Sequence, residues 1–194
     1  MKLSKSQLEK IIDFAKENIE KNDCWHNLFH TSETVRISQY LAKEEKADVK
    51  KCVIAAWLHD IAKRKHNKKT NHGDEGAKIS RIFLREIGIK KSDIQDICYV
   101  ISKHNKGGYK STKEAKVVYD ADKLQSTGIY GLLRDYGFMI SAGTNQEDSY
   151  KVYLRESKFY SERLYTKTAK NIIKAQIPIM KKFNDEYNKL RRLK

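Results

Sequence analysis

The run Cys52-Val-Ile-Ala-Ala-Trp-Leu58, followed directly by His59-Asp60, is the stretch that decides the fold. It is almost wholly apolar, and Asp48 upstream is a suitable N-cap, so it predicts a buried helix. Ionisable residues seldom lie in a core unless they are paired or bind a metal. The imidazole and carboxylate at the end of this helix are therefore either a hydrogen-bonded pair or two metal ligands.

Helical spacing of apolar residues continues through most of the chain and predicts an all-α fold. The polar segment 141–150 is predicted to be a loop, and Pro178 should kink or divide the C-terminal helix in which it lies. Neither a repeat nor a low-complexity linker interrupts the pattern, so residues 1–194 are expected to form one all-α domain. Further helices are predicted after a capping box at Ser4, from near Thr31 to Glu44, from near Asp74, and after capping boxes at Ser92 and Ser111.

Composition narrows the class of protein. The 194 residues suffice for a real core, while one proline and nine glycines argue against a turn-rich all-β fold. The longest apolar run has seven residues, which is too short to span a membrane. The first residues, Met-Lys-Leu-Ser-Lys-Ser, lack the apolar region of a signal peptide. Cys24, Cys52 and Cys98 lack metal-type spacing, and Cys52 and Cys98 fall on apolar faces, so a cytoplasmic location is expected.

The net charge of +15 is concentrated near the C-terminus, where residues 151–194 hold 13 Lys and Arg against 4 Asp and Glu. A basic surface attracts ligands that carry phosphate. It is also compatible with nucleic-acid binding, although no RNP-type motif or zinc-finger spacing accompanies it. Solvated lysine-rich helix faces are the favoured interpretation, and nucleic acid is a possible partner that is not favoured.

Ionisable residues recur on faces that should be dry. Asp122 follows three residues of the segment 115–119 at helical spacing, so it lies on the inward face of its helix. Asp120 is about 200° away around the same helix and faces elsewhere. His104 and His59 continue the apolar stripes of two other helices. Three separate helices thus each present an ionisable side chain to the interior, which makes a convergent site the better interpretation.

Four segments together resemble the HD superfamily of metal-dependent phosphohydrolases, in particular its small stand-alone hydrolases. The likeness covers roughly residues 20–135 and leaves out the basic C-terminal helical part, about 150–192. It implies an HD-domain-like helical core with extra C-terminal helices. The four segments are His26-Asn27-Leu28-Phe29-His30-Thr31, Ala55-Ala56-Trp57-Leu58-His59-Asp60-Ile61, His72-Gly73-Asp74-Glu75-Gly76-Ala77 and Asp120-Ala121-Asp122-Lys123-Leu124.

The resemblance implies that His30, His59, Asp60 and Asp122 bind one divalent metal ion. Imidazole and carboxylate ligands suit Mn, Fe, Co, Ni, Zn or Mg, and ligand type does not choose among them. Such an ion would polarise a phosphate group and acidify water, so that a phosphoester or phosphoanhydride bond of a small phosphorylated substrate, with a nucleotide favoured, is hydrolysed. His26, four residues before His30, is a further possible ligand if both lie on one helix.

Other residues of the matched segments have more than one possible role. Lys63, Arg64 and Lys123 could hold phosphate or stabilise charge in the transition state. His72, Glu75 and His104 could orient water or protonate the leaving oxygen. In related binuclear enzymes two additional histidines bind a second metal ion, and His72 with His104 could serve here. HD nucleotidases and guanosine-tetraphosphate hydrolases often carry an acidic residue where this chain has Lys63, which argues against those two specificities.

Two other functions are compatible with the same residues. One is a regulatory module that binds a nucleotide or RNA without hydrolysis, which the basic C-terminal part favours. The other is an HD-type iron-dependent oxygenase, which requires a binuclear iron site with additional histidine ligands. The sequence leaves the oligomeric state open.

Overall fold

The computed structural model describes residues 1–20, 22, 25–63 and 71–192. Arg64 and Cys24 therefore lie outside the described residues. Within them the chain forms nine α-helices and no β-strand, which confirms the all-α prediction. The helices are α1 (Lys5–Ile19), α2 (Leu28–Glu44), α3 (Val49–Leu58), α4 (His72–Glu86), α5 (Lys91–Lys103), α6 (Lys113–Leu124), α7 (Gly128–Ser141), α8 (Gln146–Ser161) and α9 (Lys167–Arg191).

The chain divides into two compact units, Met1–Asp122 and Lys123–Lys194. The first unit contains α1 to α5 and nearly all of α6, and the second contains α7 to α9. That residues 1–194 form one domain stays a prediction.

Asparagine caps start two of the helices earlier than the sequence pattern predicted. The side chain of Asn27 accepts a hydrogen bond from the amide of His30, so α2 begins at Leu28 rather than near Thr31. Asn71 accepts from the amides of Gly73 and Asp74, so α4 begins at His72 rather than near Asp74. Because a side-chain oxygen satisfies amides that the first turn leaves unpaired, each cap fixes where its helix starts. As a result, two histidines of the matched segments lie in first turns.

The predicted serine caps are right at one position and wrong at two. Ser4 forms the expected capping box with Gln7, and Asp48 caps α3 as expected. The helix predicted to open at Ser92 instead starts at Lys91 and has no side-chain cap, because Ser92 already lies in its first turn. In the next helix, the hydroxyl of Thr112 rather than that of Ser111 accepts from the amide of Ala115.

Helix α3 lies at the centre of the first unit, where it packs against α1, α2 and α5. Its buried residues occupy nearly every side of the helix, as its unbroken apolar sequence predicts. Cys52 and Cys98 are buried, which confirms their assignment as small apolar side chains, and burial raises the pKa of both thiols. A helix buried in this way carries the polar residues that follow it into the interior.

In the second unit, α7 packs against α8 and α9. The predicted loop at 141–150 is too long: α8 already begins at Gln146, because Asn145 caps it. Helix α9 runs continuously through Pro178, so the predicted division of this segment is wrong. Proline removes one helical hydrogen bond, and here it lies on an exposed part of the helix where water can reach the carbonyl that is left over.

No helix in the described ranges is both long enough and apolar enough to cross a membrane.

Truncating the core of α3 should destabilise the first unit. Ile54 is 0% exposed, so Ile54→Ala should lower the free energy of unfolding by about 2–5 kcal/mol through lost burial and the cavity left behind. Ile82, which is 60% exposed, provides the matched control, and Ile82→Ala should change it by less than about 0.5 kcal/mol. Urea denaturation followed by circular dichroism measures both, and equal losses would contradict the central position of α3.

Candidate metal centre

The ends of five helices bring imidazole and carboxylate side chains together in the first unit. His59 directly follows α3 and His104 directly follows α5, each as the C-cap residue. His30 and His72 lie in the first turns of α2 and α4. Asp60 comes after α3, and Asp122 lies in the last turn of α6. His59, Asp60, His30 and His104 are at most 2% exposed.

His30, His59 and Asp122 form one group whose ligand atoms all lie within 4.8 Å of one another, which we call the first cluster. The Nε2 atoms of His30 and His59 are 3.3 Å apart. Asp122 Oδ1 lies 3.4 Å from His30 Nε2. Asp60 Oδ2 adjoins this group, 3.3 Å from His59 Nε2 and 3.7 Å from His30 Nε2.

Asp60, His72 and His104 form a second group of the same kind, which we call the second cluster. The Nε2 atoms of His72 and His104 are 3.1 Å apart. Asp60 Oδ1 lies 3.2 Å from His72 Nε2 and 3.4 Å from His104 Nε2. One carboxylate therefore turns its Oδ2 atom to the first cluster and its Oδ1 atom to the second.

Backbone carbonyls fix which nitrogen of two imidazoles carries hydrogen. His59 Nδ1 lies 2.7 Å from the carbonyl oxygen of Ala56, and His104 Nδ1 lies 2.7 Å from that of Ile101. Because a carbonyl oxygen can only accept, both Nδ1 atoms must donate. When these rings are neutral, their Nε2 atoms present lone pairs to Asp60. Such an anchored Nδ1–H is the usual support of a histidine that binds a metal.

Burial and charge act on the pKa values of the central groups in different directions. Burial lowers the pKa of His104 to about 4, and the nearby charge of His59 acts in the same direction. Burial also lowers that of His59, but the charge and hydrogen bond of Asp60 outweigh it and raise the pKa above its ordinary value. Burial would raise the pKa of Asp60, yet the charge of His59 and the surrounding imidazoles hold it well below its usual range.

The combined arrangement requires a cation. With Nδ1 of His59 and His104 donating, the centre is lined by lone pairs of imidazole nitrogens and carboxylate oxygens, which repel one another unless a proton or a metal ion lies between them. The donor atoms are 3.1–3.7 Å apart. For bonds near 2.1 Å, neighbouring ligands are roughly 3.0 Å apart in an octahedral shell and roughly 3.4 Å apart in a tetrahedral one. Both clusters therefore fit a divalent metal ion in donor type and spacing.

The remaining predicted residues lie around this centre or apart from it. The amide of Lys63 donates to the carbonyl of Asp60 at 2.9 Å, which places its backbone beside the site. The carboxylate of Glu75 is 30% exposed and pairs with Lys78 at 2.8 Å. Lys123 belongs to the second unit, where its Nζ lies 5.1 Å from the ring centroid of Tyr160. The catalytic roles of these residues stay predictions.

Two further expectations concern neighbours of the ligands. His26 precedes α2, so it does not share a helix with His30, and it is absent from both clusters among the described residues. Asp120, expected to face elsewhere than Asp122, is itself 0% exposed. Helix α6 is therefore buried on more than one side, which a single apolar stripe does not reveal.

Sequence reasoning missed the groups that hold the ligands. Asn105 contacts the ring of His72, with Nδ2 3.1 Å from Nδ1. Lys106 Nζ lies 2.7 Å from both carboxylate oxygens of Asp74 and so ties the end of α5 to the first turn of α4. Both residues follow His104 directly, and a polar pair just after a predicted ligand is the signal that could have pointed to them.

Comparison with known proteins agrees with this geometry. The sequence pattern of the HD domain family matches residues 27–127, more than half of the chain. The protein YpgQ of Bacillus subtilis is 22% identical over 189 residues, which cover 91% of this chain and 90% of YpgQ. A protein of Clostridium beijerinckii is 32% identical over 108 residues, covering 54% of this chain and 68% of the relative.

Solved structures share the fold. An HD-superfamily hydrolase of Bacillus thuringiensis superposes with a TM-score of 0.79 at 20% identity, covering 97% of this chain and 98% of that one. The crystal structure of B. subtilis YpgQ in complex with ADP gives a TM-score of 0.77 at 21% identity, covering 95% and 94%. At these identities the likeness establishes the fold.

Binding of a divalent metal ion should release protons. Because the pKa of His59 is raised, this imidazole holds its second proton at pH values where an ordinary histidine, near 6.5, has lost it, and coordination through Nε2 must displace that proton. His104, with its pKa lowered to about 4, is already neutral and releases none near neutral pH. Apparent affinity should therefore fall as the pH is lowered, with about one proton released per ion.

Calorimetric titrations of Mn²⁺ into the protein in two buffers that differ in ionisation enthalpy measure this release. The same titration into buffer alone is the control. A binding heat that does not depend on the buffer, at every pH between 6 and 8, would contradict the prediction.

Proposed function

Because the chain belongs to the HD domain family, we propose that it is a metal-dependent phosphohydrolase. The substrate is a nucleotide or another small phosphorylated metabolite, and the bond cleaved is a phosphoester or a phosphoanhydride. One observation carries the proposal: a buried centre in which helix ends direct imidazole and carboxylate lone pairs at common points. Folding concentrates such groups at a cost, which a bound cation offsets.

His30, His59, Asp60 and Asp122 would hold the ion of the first cluster. A divalent ion bound there would supply Lewis-acid polarisation of a phosphate oxygen and would lower the pKa of a coordinated water. Asp60 keeps its negative charge because its pKa is held low, and it thereby neutralises part of the ion's charge. The carbonyl of Ala56 holds the His59 ring in its binding orientation throughout.

Phosphate binding and proton transfer fall to the surrounding side chains. Lys63, beside Asp60 in the chain, and Lys123, beside Asp122, are the proposed phosphate-binding cations. Glu75 is the weakest candidate for proton transfer, because its carboxylate is half-exposed and already paired with Lys78. His72 and His104 have two possible roles, since the second cluster either takes a second ion or keeps its imidazoles for moving protons.

Two observations support a nucleotide as the substrate. YpgQ, which shares the fold, has been crystallised with ADP. The net charge of +15 favours any ligand that carries several phosphates. A cytoplasmic location, where such metabolites are found, remains a prediction.

The second cluster also favours a second candidate function. An HD-type iron-dependent oxygenase needs additional histidines beside the HD pair, and His72 and His104 provide them. The metal separates the two functions, because Mg²⁺ and Zn²⁺ support hydrolysis but no redox chemistry. Activity with either ion therefore supports the hydrolase, whereas substrate-dependent oxygen consumption with iron alone would replace it.

Asp60→Asn is the variant that tests the proposal. It keeps the side-chain shape but removes the charge and one acceptor from the point where both clusters meet, so metal content and phosphate release should each fall at least about 100-fold. Asp13, whose side chain is 70% exposed on α1, provides the matched control, and Asp13→Asn should behave as wild type.

The assay combines metal analysis with phosphate release from nucleoside mono-, di- and triphosphates and a generic phosphodiester, with Mn²⁺, Mg²⁺, Ni²⁺ and Co²⁺ supplied separately. Metal-loaded wild-type protein that cleaves none of them would refute the hydrolase. If the same protein then retained RNA or a nucleotide with a steep salt dependence, the regulatory module would take its place.

A further inference from the structure

We infer that the side-chain amide of Asn105 makes His72 a metal ligand rather than a proton donor, by accepting the hydrogen of His72 Nδ1. The inference rests on the proposed function, because it concerns the second cluster of the same site. It assigns to Asn105 a positioning role, since this residue acts on the metal through His72.

The amide of Asn105 lies against the His72 ring at the end of α5. Its Nδ2 atom is 3.1 Å from His72 Nδ1, while His72 Nε2 points at Asp60 Oδ1, 3.2 Å away. Rotation of the amide by 180° exchanges its nitrogen and oxygen within the same volume. The two orientations of one amide therefore have opposite consequences for the imidazole.

With the amide nitrogen toward the ring, Nδ1 of His72 must accept and its hydrogen must sit on Nε2. That hydrogen points to Asp60 Oδ1 and His104 Nε2, which are 3.2 Å and 3.1 Å away. The second cluster is then a closed hydrogen-bonded group. In this state His72 offers no lone pair to a metal ion.

With the amide oxygen toward the ring, Nδ1–H of His72 donates to Asn105 and the Nε2 lone pair faces inward. His72 then matches His59 and His104, whose Nδ1 atoms donate to the carbonyls of Ala56 and Ile101. All three imidazoles present unprotonated Nε2 atoms around Asp60. The second cluster then consists of three ligand atoms for a cation.

The surroundings of the amide favour the second orientation. With the nitrogen toward His72, Asn105 Oδ1 is buried and receives no hydrogen bond. Two more acceptors lie beside it: Asn105 Oδ1, Asn71 Oδ1 and the carbonyl oxygen of Ile101 are each 3.0 Å from the point that a β-carbon on Gly73 would occupy. An oxygen there adds to a group of acceptors, whereas an NH₂ group can donate to them.

Neighbouring contacts hold the amide in this place. The absence of a β-carbon at Gly73 leaves the space in which the amide and its two oxygen neighbours meet. Lys106, the next residue, is tied to Asp74 of α4 through both carboxylate oxygens. The end of α5 and the first turn of α4 are thus fixed to each other at the point where Asn105 meets His72.

Asn105→Ala and Asn105→Asp test the inference, with Zn²⁺ and Mn²⁺ as probes. Alanine removes the acceptor, so the affinity for the second ion should fall about 10–100-fold while that for the first ion stays unchanged. Aspartate still accepts from Nδ1–H and should keep two ions per chain. Asn188→Ala on α9 is the matched control and should bind two ions as wild type does. Calorimetry and metal analysis of the full chain give the stoichiometries, and circular dichroism confirms folding.

The opposite orientation of the amide predicts a different pattern. If Asn105 donates to His72, wild-type protein binds one ion, and only Asn105→Asp, which cannot donate, gains a second. That outcome would overturn the inference, as would an unchanged second site in Asn105→Ala.

Nitrogen NMR of the Zn²⁺-loaded protein labelled at histidine gives an independent readout, since it distinguishes protonated from unprotonated ring nitrogens. The signals of His72 are assigned by their loss in His72→Gln. Hydrogen on Nδ1 and none on Nε2 is the expected result, and hydrogen on Nε2 would overturn the inference.

The two proposals fail separately. Two ions per chain, with the second dependent on Asn105, but no hydrolysis of any phosphate compound would refute the hydrolase and leave the inference standing. Hydrolysis by protein that holds a single ion, unaffected by Asn105→Ala, would refute the inference and leave the hydrolase standing.

Discussion

The buried carboxylate of Asp60 is the group to which the rest of the site is fitted. A charge removed from water needs a partner of opposite sign, and the atoms around this one are imidazole nitrogens rather than lysine or arginine. Imidazole satisfies a carboxylate in two ways, by carrying a proton itself or by sharing a metal ion with it. The raised pKa of His59 reflects the first way, and the geometry of both clusters fits the second.

Helix ends provide the chemistry that orients the ligands. The last carbonyls of a helix have no amide partner within it, and His59 and His104 occupy the C-cap positions from which Nδ1 reaches back to such a carbonyl. At the opposite ends, asparagine caps place His30 and His72 in the first turns of α2 and α4. Unsatisfied backbone groups thus set both the position and the protonated nitrogen of the imidazoles without further side chains.

His72 is the exception, because its Nδ1 atom meets a side-chain amide instead of a carbonyl. A carbonyl can only accept, so it leaves no choice of tautomer, whereas an amide can either accept or donate. The number of metal ions, and with it the kind of reaction, depends on this one difference. It is also where the hydrolase and the oxygenase alternatives separate, because both kinds of HD protein share the first cluster.

Much of this site could be predicted from spacing. The apolar run that ends in His59-Asp60 indicated that these residues are buried, and helical periodicity placed His104 and Asp122 on inward faces. Helix starts were less predictable, since Asn27, Asn71 and Thr112 act as caps where the pattern favoured later residues or other serines. Cap strength depends on which side chain reaches an unpaired amide, and that is a matter of local geometry rather than residue type.

The sequence by itself determined the all-α fold, the burial of the HD pair and the residue types from which a metal centre could be built. These follow from hydrophobic periodicity, which is a property of neighbouring positions on one helix. Only the tertiary structure decided that Asp60 adjoins two clusters, that carbonyls of Ala56 and Ile101 fix two tautomers, and that Asn105 lies against His72. Such contacts join atoms from different helices, or backbone to side chain, and depend on distances of a few tenths of an ångström that no pattern along the chain encodes.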